Sequence, residues 1–154
     1  MILETPRCLI RQFTADDASD LYEILSDRDV MAYVEPPFTE KQTQNFIRTV
    51  GLCDPPLIHA LIWKKTGMMI GHIIFHKYEE DSYEIGWIIS KAYWGQGIAS
   101  EVTTSLIDYA KKLGIRSCII ECACEQTASI EIAQKNGFVY AGKANNCVVY
   151  RLML

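Results

Sequence analysis

Cationic residues are in short supply: 15 lysines and arginines stand against 19 aspartates and glutamates, for a formal net charge of −4 over 154 residues. That balance excludes a broad nucleic-acid-binding surface. Long apolar runs are also missing. The most apolar stretches, such as Leu57–Trp63, fall far short of the roughly 20 residues needed to span a bilayer, so no membrane association is expected. The opening MILETPRCLIRQF has no basic segment leading into a long apolar one, so no secretory signal is expected and a cytoplasmic protein is. No linker, repeat or low-complexity tract interrupts the chain. There are six cysteines, but no CxxC pair has a second half at metal-site spacing. Cys118, Cys122 and Cys124 share strand parity with Ile120, so they line one face and do not readily bridge. They are expected to serve as small buried hydrophobes. His72 and His76 share a face of one strand and His59 lies on its neighbour, without the further ligands that a zinc site needs. No metal is expected.

Apolar residues make up 49% of the chain and charged residues 22%, the composition of an ordinary folded protein with a substantial core. Leu3–Phe13 reads as a strand with Pro6 near its start. Thr14 is placed to cap a helix whose apolar face is Ala15, Ala18, Leu21, Tyr22 and Leu25. Pro36 and Pro37 break the chain, and Thr39 opens a second helix that runs through Val50 to Gly51. Leu57–Lys64 and Met68–Lys77 flank a turn and form a hairpin, and Tyr83–Ser90 adds a third strand. Ala99, Val102, Leu106, Ala110 and Leu113 recur at helical spacing up to Gly114. Ile115–Cys124 reads as a buried strand, Thr127–Asn136 as a short helix, and Phe138–Ala141 with Cys147–Leu152 as a closing hairpin. The order β-α-α-β-β-β-α-β-α-β-β describes one α+β domain over residues 1–154, built on a mixed sheet.

The richest segment is Tyr93-Trp94-Gly95-Gln96-Gly97-Ile98-Ala99, between a strand and an amphipathic helix. Glycines in such a turn let an anion approach the main chain, and the N–H groups at the following helix terminus point towards it. A phosphorylated ligand is expected here. A dinucleotide is one option, because Gly95-Gln96-Gly97-Ile98-Ala99-Ser100 is close to GxGxxG and Glu121 stands downstream where a ribose contact would be. Against it, Ser100 replaces the last glycine, Lys91–Trp94 lengthens the turn, and no βαβ array surrounds the motif. A P-loop is excluded because no Gly-Lys-Ser/Thr closes the turn.

Four segments, in order and at matching spacing, carry a specific likeness: Leu9-Ile10-Arg11 with Ala15-Asp16-Asp17-Ala18; Tyr83-Glu84-Ile85-Gly86-Trp87; Tyr93 through Glu101; and Ala128-Ser129 followed by Lys135-Asn136-Gly137-Phe138. Over nearly its whole length the chain resembles the GNAT family of N-acetyltransferases, within it the branch of ribosomal-protein N-terminal (alanine) acetyltransferases. The resemblance implies a GNAT-like α+β fold, with a mixed central sheet of about seven strands, about four helices, and splayed fourth and fifth strands. It also implies acetyl-CoA as co-substrate, a primary amine as acceptor, and direct transfer in a ternary complex.

Carried residue by residue, the resemblance assigns coenzyme binding to Trp94, Gly95, Gln96, Gly97, Ile98, Ala99 and Ser100, to the backbone of Trp87, Ile88 and Ile89, and to Gln126 and Ser129. Trp94 stands where the family often has Gln or Arg, and Gln126 replaces a common Asn. The family's tyrosine acid falls at Ala133, so the resemblance supplies no tyrosine to protonate the thiolate. Ser129 is a candidate for contacting the sulfur, or is simply a first-turn helix residue. Glu84 reads either as the general base or as a solvated strand-end carboxylate, and His72 is an alternative base. The acceptor is expected between the first two helices, near Met31–Phe38, with Tyr33 and Glu35 placed for a cationic amine or merely packed. A catalytically silent acyl-CoA-binding module is the competing reading. Both a monomer and a homodimer pairing through the last hairpin fit the sequence.

Overall fold

The computed structural model describes residues 3–154. Among them run eight strands in one sheet, ordered β1-β2-β3-β4-β5-β6-β8-β7, and four α-helices. The strands are β1 (Leu3–Glu4), β2 (Cys8–Arg11), β3 (Ile58–Trp63), β4 (Met69–Glu79), β5 (Ser82–Ile89), β6 (Ser117–Ala123), β7 (Val139–Ala144) and β8 (Cys147–Met153). The helices are α1 (Ala18–Leu25), α2 (Glu40–Phe46), α3 (Ile98–Lys112) and α4 (Thr127–Lys135).

The expected first strand is two strands. Thr5-Pro6-Arg7 turns the chain back, so Leu3 pairs with Ile10 and Glu4 with Leu9, antiparallel. Pro6 has no N–H to offer a ladder, and the Thr5 hydroxyl accepts from the Cys8 N–H at 2.9 Å, which closes the turn. This raises the strand count from about seven to eight. The second helix also departs from expectation. Thr39 caps it by accepting from the Gln42 N–H at 3.1 Å, but after Phe46 the chain widens into a π-helical turn, Ile47–Gly51.

Two helix pairs cover opposite faces of the sheet. One face packs Ile73, Phe75, Ile85, Cys118 and Ile120 under α3 and α4, through Val102, Leu106, Ala110 and Ala133. The other packs Ile58, Ala60 and Met69 under α1, through Leu21, Ile24 and Leu25, with Ile47 behind α2. Alternation along β4 is reset by a register shift opposite Leu61 and Ile62, which places Ile70 and Ile73 in the same cluster. Gly71 sits in this irregularity. A Cβ there would lie 2.1 Å from the Ile88 carbonyl oxygen, so only glycine lets β4 and β5 meet so closely.

All strand pairs are antiparallel except β5 with β6. That pairing is short: Ser82, Tyr83 and Glu84 meet Ser117, Cys118 and Ile119, and nothing beyond. β5 stays on β4 as far as Ile89, while β6 stays on β8 as far as Ala123. The two strands therefore diverge into a wedge with Glu84 at its apex.

Of the cysteines, Cys8, Cys118 and Cys122 are buried, and all six are free thiols. Cys124 corrects the expectation for its trio. It lies past the end of β6 and is exposed, because the strand stops at Ala123.

Candidate active site

The glycine turn begins with Lys91–Tyr93 wound as a single 3₁₀ turn, and Trp94 returns to extended backbone. Gly95 and Gly97 then take φ of 71° and 75°, the left-handed region that other residues enter only with strain. Gly97 caps α3 without any side-chain hydrogen bond. Among the described residues, the N–H groups of Gly95 through Ser100 find no acceptor, and the first helical N–H to do so is that of Glu101, on the Gly97 carbonyl at 3.1 Å. Six adjacent donors at a helix N-terminus are an arrangement that favours an anion. The Trp94 indole N–H turns back to the Ile89 carbonyl at 2.8 Å and pins the loop to the end of β5.

Sequence reasoning missed the clamp behind this loop. Arg7, from the turn between β1 and β2, donates to the Gln96 carbonyl at 2.8 Å and to Glu101 at 2.6 Å. Glu101 also accepts from the Thr5 hydroxyl at 2.6 Å and the Arg7 N–H at 2.8 Å. Partial burial works against ionised Glu101, but these donors win and hold its pKa below the usual carboxylate value. The signal lay in an Arg beside a Pro-containing turn, 94 residues from its partner.

Along the open side of β5 the backbone alternates. The Ser90 N–H donates to the Ile70 carbonyl at 2.7 Å, so Ser90, Ile88 and Gly86 direct their main-chain groups at β4. Trp87 and Ile89 direct theirs into the wedge, where β6 no longer pairs with them. Of the three residues expected to offer backbone groups, Ile88 thus has its own turned towards β4.

At the apex Glu84 meets His76 of β4, with Oε2 3.1 Å from the imidazole Nε2. Nδ1 of the same ring lies 2.9 Å from the Lys77 carbonyl. With an acceptor at each nitrogen the protonated ring is favoured, and the hydrogen bond to Glu84 leads in raising the His76 pKa above its ordinary value. Nearby, the Tyr78 hydroxyl donates to Glu121 of β6 at 2.5 Å, and this carboxylate pushes the phenol pKa up to about 12.

Glu84 and His76 open onto a cleft of about 290 Å³ between the sheet, α1 and the end of α2. Met31, Val34, Glu35 and Phe38 of the connecting segment close it, and Phe46, Ile74 and Ile88 line it. The expected acceptor segment does border the cleft, and Glu35 reaches it. Tyr33 does not: it is 56% exposed and lines a neighbouring surface depression with Arg28 and Pro36. An ion pair between Lys91 and Asp29 ties the start of this segment to the chain entering the glycine turn.

His72 lies at the cleft floor, 3% exposed, with Nδ1 unpartnered and its ring 5.7 Å from that of Phe46. Burial depresses its pKa to about 4, so it is neutral at pH 7. His59 is buried as well, but it pairs across from Ile73, on the opposite face of the sheet from His72. Among the described residues no three His, Cys, Asp or Glu side chains converge as a metal site. Across the wedge, the Gln126 side chain accepts from the Ala123 N–H at 2.8 Å and secures the turn into α4. Ser129 stands half-buried on the first turn of that helix.

Residues 7–139 match the family profile described as the Acetyltransferase (GNAT) domain. The chain belongs to the GNAT acetyltransferase family. It is 33% identical over 151 residues to the uncharacterized N-acetyltransferase YnaD of Bacillus subtilis (strain 168), covering 96% of this chain and 88% of that one. Its fold superposes on the crystal structure of a GNAT-family acetyltransferase from Bacillus anthracis with a TM-score of 0.89 at 30% identity, covering 99% and 98% of the two chains. A ribosomal L7/L12 alpha-N-protein acetyltransferase, solved in complex with coenzyme A, shares the fold with a TM-score of 0.83 at 18% identity over 100% and 98% of the chains. This GNAT protein is therefore an acetyl-CoA-dependent N-acetyltransferase with a splayed mixed sheet. Among its described residues no helix is long and apolar enough to cross a membrane.

Proposed function

We propose that this GNAT enzyme, acting as one domain over residues 1–154, acetylates a primary amine by direct attack within a ternary complex, with Glu84 as general base. Bound acetyl-CoA supplies an acetyl carbon held as a thioester, and free CoA leaves as the thiol. The donors from Gly95 to Ser100 hold its diphosphate, and the cradle they form, empty of internal acceptors, fits that group. Trp87 and Ile89 offer wedge-facing backbone groups to the pantetheine amides, and one of their N–H groups stabilises charge developing on the carbonyl oxygen. Ser129 and Gln126 flank the sulfur end from α4 and the turn before it; the Ser129 hydroxyl hydrogen-bonds the departing sulfur, and the thiolate takes its proton from solvent.

Glu84 receives the proton shed as the amine nitrogen bonds to the acetyl carbon and the carbon–sulfur bond breaks. The observation that carries this reading is the place of Glu84: the wedge apex, with its carboxylate open to the cleft and braced by His76. The demand on such a base is set by the acceptor. Deprotonating a lysine of pKa ~10.4 costs about 4.6 kcal/mol at pH 7, whereas an α-amine near ~8 costs about 1.4 kcal/mol.

Glu84→Gln tests the assignment. Turnover is expected to fall by roughly 10²–10⁴-fold, the usual worth of general-base catalysis, while acetyl-CoA affinity holds. CoA release dependent on added amine is the readout, because a protein that only binds the coenzyme releases none. Wild-type turnover in the variant would remove Glu84 from the mechanism.

A further inference from the structure

The acceptor cleft has a chemical character of its own. Its walls are Leu25, Phe38, Phe46, Val50, Ile58 and Ile74, and among the described residues no lysine or arginine lines it. Its carboxylates are Glu84 at the apex and Glu35 on the covering segment. The floor histidine adds no positive charge, because burial keeps the His72 ring neutral, and the one cation the lining can carry, protonated His76, is paired with Glu84. Its size, about 290 Å³, is at the lower end of small-molecule sites, which run from about 300 to 1,000 Å³.

We infer that the acceptor is a small primary amine carried on one compact apolar group, an aromatic ring or branched alkyl, with its nitrogen at Glu84 and its body against Phe46, Val50 and Ile74. This rests on Glu84 marking where the amine is deprotonated. Other amine classes fit the lining worse. A polyamine would bury a second ammonium among aliphatic walls, and an aminoglycoside would bury hydroxyls with no partner; both are costly. A peptide N-terminus would bring successive amides into a cleft whose polar side chains are Glu35, Glu84, His72 and His76 alone. Glu35, and Glu84 once His76 is neutral, pull the ammonium in, and the walls select what it is attached to.

The test is amine-dependent CoA release by the full chain with phenethylamine and isoamylamine, set against spermidine, kanamycin and a peptide beginning with Phe. The two apolar amines are expected to show kcat/KM at least tenfold above each of the others. Val50→Glu, checked for folding by thermal unfolding and for retained acetyl-CoA binding, is expected to lower phenethylamine kcat/KM at least tenfold and to narrow its lead over spermidine. Preference for spermidine, kanamycin or the peptide, in a reaction still lost in Glu84→Gln, overturns the inference and leaves the catalytic reading standing. An unchanged phenethylamine kcat/KM in Val50→Glu overturns it as well. Failure with every amine overturns the catalytic reading itself, and the inference falls with it.

Discussion

At the residue scale, the coupling of His76 to Glu84 has a consequence in pH. The folded pKa of His76 is raised above its unfolded value near 6.5, chiefly by the hydrogen bond to Glu84. The pair's contribution to stability is therefore complete below about pH 6.5 and is lost as pH rises through the higher folded value. The pair is only partly buried, so that contribution is small, at most about 1 kcal/mol. Catalysis runs the other way. While His76 is an imidazolium it occupies the Glu84 carboxylate, and in the proposed mechanism its deprotonation releases that carboxylate to the amine. Turnover is thus expected to rise, and melting temperature to slip, over one window beginning above pH 6.5. His76→Gln is expected to flatten both curves. A rising limb that survives in His76→Gln would assign it to the amine instead.

Single residues also show how far the sequence can be read. Glu84 is visible as a candidate because a carboxylate in an apolar strand is conspicuous. Its partner is not, since His76 gains its meaning only from the antiparallel register that sets it opposite Glu84. Arg7 and Glu101 are likewise joined by folding alone, from opposite ends of the first two-thirds of the chain. Tyr33 lines the neighbouring depression and not the cleft, and a loop aromatic close to two prolines gives no clue in sequence to which side of the loop its ring takes.

At the scale of elements, α3 is legible because its 3.6-residue periodicity is clean, and the hairpin of β3 and β4 because two apolar runs flank Lys65-Thr66-Gly67, although the register shift resets alternation along β4. The break at Pro6 and the widened turn after Phe46 are not, because each is a local departure inside a run whose apolar pattern continues. The wedge follows from the family resemblance, which implies splayed fourth and fifth strands, and not from the residues of the two strands themselves. Nothing in Ile85–Ile89 or Ile120–Ala123 announces that two strands with good β-formers stop pairing. Gly71 offers a test of what sets their course. Replacing it by Ala puts a methyl against the Ile88 carbonyl, which must move by more than ordinary contact allows. Loss of about 1–3 kcal/mol in denaturant unfolding is expected, in the range of overpacked core sites. The displacement of β5 should also raise KM for acetyl-CoA. A variant with unchanged stability would mean that β4 and β5 are held apart elsewhere.

For the molecule as a whole, the sheet is a partition with a slot. The glycine turn feeds α3 on one face, while the cleft beneath α1 and α2 lies on the other, and Glu84 sits where the slot closes. In the proposed arrangement a coenzyme and an acceptor arrive from opposite faces and do not obstruct each other's route, so neither has to depart before its counterpart can enter. Initial velocities measured at several fixed concentrations of one reactant should accordingly give double-reciprocal lines that cross. Parallel lines would require the acetyl group to wait on the protein between two separate visits, a stopover for which a two-doored passage has no need.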